Sequence, residues 1–316
     1  MKVARWGGLF FSTGKICAAG LTLSLNFFFA AQSGAAITVQ DDAGKTVTLP
    51  SPATRIATLA PSLTELVYAA GAAAKLVAVS AYSDFPAAAK SLPQVADYSG
   101  VALESLLVQK PDLVIAWKSG NRESDLQRIR SFGIPVYAAE VVQMSDVPRT
   151  LRQIGLLADT AALAESAARV YESRTAALLL AHRGKAKISV FFEIGRLPLM
   201  TINAHHAISE GIALCGGVNV FADAPILVFT PSREALIRLQ PQVILRPGSK
   251  DKDADKADRL AGYDGIKAAA EHRIYNIHAD SILRQGPRFI DGVTQICAAL
   301  DAVRTPTPTR YVRPHQ

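Results

Sequence analysis

Three aromatic side chains follow short apolar segments that have the composition of buried β-strands. Tyr82 comes after residues 77–80, Tyr98 precedes a Ser-Gly pair, and Trp117 ends residues 113–117. In open α/β sheets, ligands bind beyond the carboxyl ends of the strands. Aromatic rings at such positions can cover a large, flat, partly apolar ligand. The alternative for each ring taken alone is ordinary packing beneath a loop.

Catalytic and cofactor motifs are absent from the sequence. It contains no G-x-x-x-x-G-K-[ST], no G-x-G-x-x-G, no H-E-x-x-H and no G-x-S-x-G. His205 and His206 form an adjacent pair, but two ligands do not complete a metal site. A solvated position or a pocket rim is the alternative for this pair. We therefore expect no catalytic residues, no cofactor and no resident metal.

Alternating strands and helices must position these residues. A hairpin is predicted at 37–49. Strands are predicted at 55–59, 76–80, 113–117 and 136–138, and helices at 61–71, 103–108 and 123–132. In the first helix, Ser62 is expected as the N-cap and Glu65 as its capping-box partner. The alternation indicates an α/β lobe with a largely parallel sheet.

A long segment without Gly or Pro, residues 156–183, follows this lobe and is rich in Ala, Leu, Glu and Arg. One helix of that length would run about 42 Å, which indicates a rigid connector between two lobes. A single amphipathic helix within one domain is the alternative. The α/β alternation then resumes, with elements predicted at 188–194, 207–214, 233–239, 243–245, 266–270, 274–277 and 289–303.

The two halves share a sequence echo. Glu104 and Glu234 each open a predicted helix, a proline follows seven residues later, and an apolar strand begins. Two facing lobes of similar topology are indicated, and a ligand site between them is the default expectation. We predict an N-terminal lobe at 37–155, a connecting helix at 156–183 and a C-terminal lobe at 184–303.

Charge and the two chain ends indicate export. The chain has 34 Lys and Arg, 27 Asp and Glu and a net charge of +7. Residues 1–36 have the basic start, apolar middle and small-residue end of a secretory signal peptide, with an uncleaved membrane anchor as the alternative. The Thr-Pro tail, residues 304–316, is expected to be disordered. Beyond residue 36 the net charge is +4 and the folded body is nearly neutral, so no nucleic-acid partner is expected.

Three cysteines are too few for a disulfide scaffold. Cys17 lies in the signal segment and would leave with it. Cys215 and Cys297 would then reach an oxidising compartment, where they are candidates for a disulfide. Two buried free thiols are the alternative.

Three segments resemble one family. They are RIATLAPSLTELVYAAG (55–71), VAVSAYSDFP (77–86) and LLVQKPDLVIAWKSGN (106–121). They are similar to the vitamin B12-binding proteins of bacterial ABC importers, which are periplasmic binding proteins whose two lobes are joined by one long helix. The resemblance covers about residues 55–303. Its opening motif is shared by haem and siderophore relatives, whereas Tyr-Ser-Asp-Phe-Pro and Ile-Ala-Trp are more typical of the B12 group.

The resemblance implies roles for particular residues. Tyr82 and Trp117 match aromatic side chains of the cobalamin pocket. A loop of the C-terminal lobe that contacts cobalamin matches the run Asp280, Ser281, Ile282, Leu283 and Arg284. Tyr98 stands where a pocket tryptophan is expected. A second pocket tryptophan is expected around residues 228–229 but is absent, and Phe229 is the residue that would substitute for it. These departures, together with Ser281 and Ile282 in place of aromatics, favour a related corrinoid or weaker binding.

The resemblance also implies partners. Glu104 and Glu234 match two glutamates, one in each lobe, that pair with arginines on the two permease subunits of the importer. Cysteines at the positions of Cys215 and Cys297 form a disulfide in the family.

These implications predict a monomeric periplasmic protein that captures cobalamin or a related corrinoid between its lobes, with little lobe closure, and delivers it to an ABC importer. The main alternative is a haem- or siderophore-binding protein of the same fold, with Tyr82, Tyr98 or His205 as an iron ligand. A periplasmic hydrolase would need a nucleophile–base pair, and a metal chaperone would need three or four convergent ligands.

Overall fold

The structure describes most of the chain beyond the predicted signal segment. This computed structural model describes Gly8, residues 36–248 and residues 263–305. Apart from Gly8 and Ala36, the predicted signal segment with Cys17 lies outside these ranges, as does the predicted tail after Thr305. All the elements below lie in the described residues from Ala36 onward, which belong to one compact unit. Among helices in the described ranges, none combines the length and apolar character needed to cross a bilayer.

The first lobe contains a hairpin and a six-stranded sheet. The predicted hairpin is confirmed as β1 (Ile37–Gln40) and β2 (Thr46–Leu49). The sheet strands are β3 (Ile56–Thr58), β4 (Leu76–Ser80), β5 (Gln94–Asp97), β6 (Gly100–Val101), β7 (Leu113–Trp117) and β8 (Val136–Ala139). Their order is β6-β5-β4-β3-β7-β8, and only β6 pairs antiparallel. The carboxyl ends of β4, β5 and β7 therefore lie at one edge of the sheet.

Helices cover this sheet. They are α1 (Pro61–Ala69), α2 (Leu103–Val108), α3 (Glu123–Ser131) and α4 (Asp146–Leu157), with short 3₁₀ turns at Ala73–Lys75 and Ala87–Ser91. The predicted capping box in α1 is wrong. The N-cap is Ala60, and no side chain caps the helix. Pro61 occupies the first helical position, where a missing N–H leaves no hydrogen bond unmade. Ser62 and Glu65 therefore lie inside the helix, and Glu65 takes another role.

The long connecting helix is α5 (Ala161–His182). It begins later than the predicted segment 156–183, because Asp159 has a φ of 53° and separates α4 from α5. Sequence-based prediction missed α4, which contains Pro148 and Gly155. The proline lies in the first turn, where it is tolerated. A Cβ on Gly155 would lie 2.4 Å from the Cβ of Ala164, so the glycine allows α4 and α5 to pack closely.

The second lobe also consists of a mainly parallel sheet with helices, together with a small antiparallel sheet. Its strands are β9 (Ile188–Phe192), β10 (Gly195–Arg196), β11 (Leu199–Ile202), β12 (Gly217–Asn219), β13 (Val228–Phe229), β14 (Val243–Gly248) and β15 (Ile274–His278). A parallel sheet has the order β12-β9-β14-β15, and a small antiparallel sheet has the order β10-β11-β13. The helices are α6 (Ala207–Leu214), α7 (Arg233–Leu239), α8 (Lys267–Ala270), α9 (Ala279–Leu283) and α10 (Phe289–Arg304).

The predicted fold class is confirmed: two α/β lobes with mainly parallel sheets are joined by one long helix. One apolar cluster runs through both lobes by way of Ala164, Ala168 and Tyr171 of α5. The predicted disulfide between Cys215 and Cys297 is also confirmed, with an S–S distance of 1.98 Å, and both residues are buried. It ties the end of α6 to α10 within the second lobe.

Candidate functional site

A cleft between the two lobes brings together residues that are far apart in the sequence. A cavity of about 320 Å³ has Trp117 and Glu140 on the N-terminal side and His206, Leu227, Leu283 and Gln285 on the C-terminal side. A second cavity of about 120 Å³ shares Trp117, Leu283 and Gln285 with it and adds Arg284. We call the space around these two cavities the interlobe cleft. A larger cavity, about 430 Å³, lies elsewhere, beside β5 and β6 near Asp97 and Arg122.

Trp117 is held firmly at the mouth of this cleft. It ends β7, and its indole Nε1 donates a hydrogen bond to Oε1 of Glu140 at 3.0 Å. Its backbone N–H donates to Oδ1 of Asn121 at 2.7 Å. The ring covers Gly120 so closely that a Cβ there would lie 1.8 Å from ring atom Cε3. The side chain keeps 41% of its surface exposed, so a ligand can contact a ring whose orientation is already set.

Tyr82 stands on a turn that the surrounding structure builds with some strain. Its φ is 63°, a left-handed value that costs a non-glycine residue about 1 kcal/mol. Beneath it, the buried hydroxyl of Thr64 bonds to those of Thr58, at 2.7 Å, and Ser83, at 3.0 Å. The hydroxyls of Ser80 and Ser83 are 3.2 Å apart. This network fixes the turn, and the Tyr82 ring is left largely exposed.

Tyr82, Tyr98 and Phe229 are not among the residues that line the two interlobe cavities. Tyr98 follows β5 and is 91% exposed. Phe229 is half-buried and packs edge-to-face against Phe221, with ring centroids 5.6 Å apart. Its neighbour Val228 lines the larger cavity instead.

The expectation of a loop at 280–284 is wrong: the run forms helix α9 up to Leu283, and its residues divide into buried and exposed ones. Ile282 is fully buried against Gly292, so it serves the core of the lobe in this structure. Ser281 is buried, with its hydroxyl 3.3 Å from Nδ1 of His278. Asp280 pairs with Arg284 at 3.2 Å. Of these residues, Leu283 and Arg284 line the interlobe cavities.

Charged residues from the two lobes meet beside the cleft, a feature that the sequence analysis missed. The Arg288 guanidinium donates to both carboxylate oxygens of Glu65, at 2.8 and 2.6 Å. Arg284 donates to Asp84 at 2.6 Å and lies 3.4 Å from Glu65. We call these four residues the interlobe clamp. Hydrogen bonding to Glu65 raises the pKa of Arg288.

The Arg288 guanidinium also lies 3.9 Å over the Phe85 ring. The only sequence signal for this clamp is the pair of arginines four residues apart in a largely apolar stretch, and it does not identify their partners.

The two adjacent histidines occupy different environments, although both line the larger cavity. His206 is the N-cap of α6, and its Nδ1 accepts the backbone N–H of Ile208 at 3.1 Å. Burial lowers the pKa of His206 to about 4, so its ring is neutral near pH 7. His205 is exposed, and its backbone N–H donates to Asn203. Within the described ranges, no three His, Cys, Asp or Glu residues gather in a way that could hold a metal ion.

The two predicted docking glutamates occupy equivalent places in the two lobes. Glu104 lies in the first turn of α2 and Glu234 in the first turn of α7, and both are exposed. Ser232 caps α7 by accepting the backbone N–H of Ala235 at 3.1 Å. A carboxylate at a helix start is also favoured by the helix dipole, by about 0.3–1 kcal/mol.

Known proteins share this architecture. Residues 56–281 match the periplasmic binding protein family. The vitamin B12-binding protein of Pectobacterium carotovorum is 36% identical over 251 residues, which cover 79% of this chain and 89% of that protein. The vitamin B12-binding protein of Vibrio parahaemolyticus is 30% identical over 253 residues, 80% of this chain and 91% of that protein.

Solved structures agree with this relationship. The periplasmic vitamin B12-binding protein of Vibrio cholerae superposes with a TM-score of 0.73 and 32% identity, covering 80% of this chain and 99% of that one. A periplasmic haem-binding protein of Roseiflexus gives a TM-score of 0.70 and 25% identity, covering 79% and 99%. The chain therefore belongs to the periplasmic binding protein family, which includes these vitamin B12-binding proteins.

Proposed function

We propose that this chain is a periplasmic solute-binding protein that captures cobalamin, or a related corrinoid, in the interlobe cleft. The observation that carries the proposal is the rigidly held Trp117, which lies in a cleft lined by both lobes. Its flat ring, with the exposed Tyr82 ring following a strand of the same sheet, suits the edge and faces of a large macrocycle. Similarity to vitamin B12-binding relatives over about four-fifths of the chain supports the same ligand.

The size of the cleft supports different positions for the macrocycle of the ligand and for its peripheral side chains. Drug-sized ligands occupy pockets of about 300–1,000 Å³, and a corrinoid is larger than the cavity of about 320 Å³. The macrocycle would therefore lie in the open part of the cleft, and its peripheral side chains would enter the enclosed part. Leu283 and Arg284 line this region from the C-terminal lobe, and Asp280 pairs with Arg284 at 3.2 Å, so these three residues are proposed contacts.

The protein would hand its ligand to a membrane importer and perform no catalysis. Glu104 and Glu234 present one exposed carboxylate from each lobe. Such a pair fits two permease subunits with basic side chains at equivalent positions. The continuous apolar core through α5 and the interlobe clamp favour delivery with little change in the angle between the lobes.

A titration tests this function directly. Trp117 is the sole tryptophan after residue 36, so its fluorescence in protein that begins at Ile37 reports on the cleft alone. We expect cyanocobalamin to quench it with a saturable, one-to-one curve. N-acetyltryptophanamide corrects for light absorbed by the corrinoid. Absence of heat in calorimetry at micromolar concentrations would overturn the proposal.

Haem binding is the second candidate, and the exposed phenols of Tyr82 and Tyr98 favour it as iron ligands. His206 is a poor ligand, because its Nδ1 accepts a backbone hydrogen bond and its Nε2 then carries the proton. A Soret band that appears on adding haem and is lost in Tyr82→Ala or Tyr98→Ala would support this candidate.

A further inference from the structure

The tautomer of His206 is determined by the helix that it caps. Its Nδ1 accepts the Ile208 N–H, so the lone pair lies on Nδ1. In a neutral imidazole the proton is then on Nε2. His206 lines the larger interlobe cavity, so this arrangement supplies an N–H donor there.

The Gln285 carboxamide lies opposite this N–H. Its terminal group is 3.4 Å from Nε2 of His206, and Gln285 lines the same cavity. Because Nε2 of His206 carries the proton, the carboxamide oxygen of Gln285 is the atom that accepts from it, and the NH₂ group of Gln285 remains as a donor. A ligand oxygen in the cavity can accept from this NH₂ group.

The opposite wall of the cavity offers the complementary group. Glu140, from the N-terminal lobe, lines this cavity, and its carboxylate oxygens accept from Trp117 Nε1 and from the backbone N–H of Ser119 at 2.9 Å. Each carboxylate oxygen can accept more than one hydrogen bond. Neither lysine nor arginine is among the residues described as lining this cavity. Arg284, in the adjoining smaller cavity, is already paired with Asp84 at 2.6 Å and with Asp280 at 3.2 Å. A ligand carboxylate would therefore meet the like charge of Glu140 without a free cation to compensate it.

We propose that His206, Gln285 and Glu140 form a subsite that selects a primary carboxamide and rejects a free carboxylate. His206 orients the Gln285 carboxamide, whose NH₂ group donates to the carbonyl oxygen of the ligand amide, and the NH₂ group of the ligand amide donates to Glu140. The subsite rests on the proposed function, because a corrinoid carries such amides at the edge of its macrocycle. It would favour fully amidated corrinoids over acid precursors, and over haem with its propionates.

Ligands that differ in one group test the subsite. Cobalamin is compared at pH 7.5 with its monocarboxylic acid derivatives, in each of which one peripheral amide has been hydrolysed. We expect at least one derivative to bind the wild-type protein at least about tenfold more weakly than cobalamin does. Equal dissociation constants across the series would overturn the proposal.

Variants assign the effect to the side chains. Gln285→Glu replaces a donor with a carboxylate and should weaken cobalamin binding about tenfold, whereas Gln127→Glu, the same change on the exposed face of α3, should not. Glu140→Gln removes the like charge and should narrow the preference for the amide over its acid at least fivefold. Unchanged affinity in Gln285→Glu, or an unchanged preference in Glu140→Gln, would count against the subsite.

A measurement without ligand separates this inference from the proposed function. If the wild-type protein binds no cobalamin, the proposed function fails. The donor arrangement is still tested by ¹⁵N NMR of the imidazole in the ligand-free protein. A protonated Nε2 is expected for His206, and a protonated Nδ1 would overturn the inference. His206→Asn keeps a residue type that caps helices well and should fold with α6 intact while losing affinity for cobalamin.

Discussion

The Glu65 carboxylate, in the first helix of the N-terminal lobe, receives two hydrogen bonds from the Arg288 guanidinium of the C-terminal lobe, at 2.8 and 2.6 Å. The Glu65 side chain is only 2% exposed, and that of Arg288 is 17% exposed. Water screens such a pair far less than a surface pair, and two-point hydrogen bonding restricts its geometry. The contact therefore fixes one side of the cleft, next to the proposed ligand contact Arg284.

Removing Glu65 should destabilise the protein strongly. Glu65→Ala leaves a partly buried guanidinium without its carboxylate, which costs about 3–5 kcal/mol in comparable buried pairs. The matched control is Glu123→Ala, which breaks the exposed carboxylate's pairs with Lys45 at 2.7 Å and Arg130 at 3.1 Å and should cost less than about 1 kcal/mol. Urea unfolding of both variants measures the difference. Equal losses of unfolding free energy in the two variants would show that the Glu65–Arg288 pair stabilises the protein no more than an exposed pair does.

The stability of the fold should depend on pH through His206. Burial lowers the pKa of its imidazole to about 4 from an ordinary value of 6.5, so the unfolded chain takes up a proton at higher pH than the folded one. The folded protein therefore has its full stability with respect to this group above about pH 6.5, and it loses part of its unfolding free energy as the pH falls toward 4. Each pKa unit corresponds to about 1.4 kcal/mol, so the loss is at most about 3 kcal/mol.

Urea unfolding between pH 7 and pH 4 measures this effect. His206→Asn has no group that titrates at this position, so its unfolding free energy should fall less steeply. Identical pH dependence in the two proteins would rule out the buried neutral imidazole.

Loss of the disulfide should lower stability. Cys215 and Cys297 are 82 positions apart, and closing a loop of that size stabilises by about 4–5 kcal/mol on the chain-entropy model. We expect Cys215→Ala with Cys297→Ala to melt well below the wild-type protein. Thiol titration of denatured, unreduced protein that begins at Ile37 should find no free thiol. Two reactive thiols in freshly exported protein would contradict the bridge.

Gly120 should matter for binding through Trp117. A methyl group at this position cannot coexist with the indole ring where it now lies, because the nearest ring atom would be 1.8 Å away. Gly120→Ala should therefore displace the ring, shift its fluorescence spectrum and weaken corrinoid binding about tenfold. Gly120 is exposed, so a small change in melting temperature is expected. Unaltered affinity and fluorescence in this variant would show that Gly120 does not determine the position of the Trp117 ring.

The docking role of the two glutamates can be separated from ligand binding. Glu104→Ala with Glu234→Ala should reduce corrinoid uptake by cells while leaving the dissociation constant unchanged, because neither side chain lines the interlobe cavities. Glu123→Ala with Glu172→Ala removes the same charge from exposed positions on α3 and α5 and serves as the control. Normal uptake in the docking variant would contradict the proposed contact with the permease.

Much of the architecture could be predicted because it depends on local patterns. Apolar runs and helix-ending residues located β4, α2, β7, α6 and α7 at the bounds that the structure has. The positions of the exposed aromatics Tyr82, Tyr98 and Trp117 could be predicted in the same way. Each lies at or just after the carboxyl end of a strand, and that end can be located from the strand's own sequence. The small sheet of β10, β11 and β13 was missed, because strands of two to four residues carry too little periodicity.

The sequence by itself determined the alternation of strands and helices, the pair of cysteines available for a disulfide and the aromatic residues at the sheet edge. Tertiary structure alone decided which predicted loop residues reach the cleft: Leu283 lines it, whereas its neighbour Ile282 is buried. It also decided that Glu65 meets Arg288, 223 positions away. Local propensity acts over a few residues, whereas these contacts depend on how two lobes pack around α5, and that packing is a property of the whole apolar core.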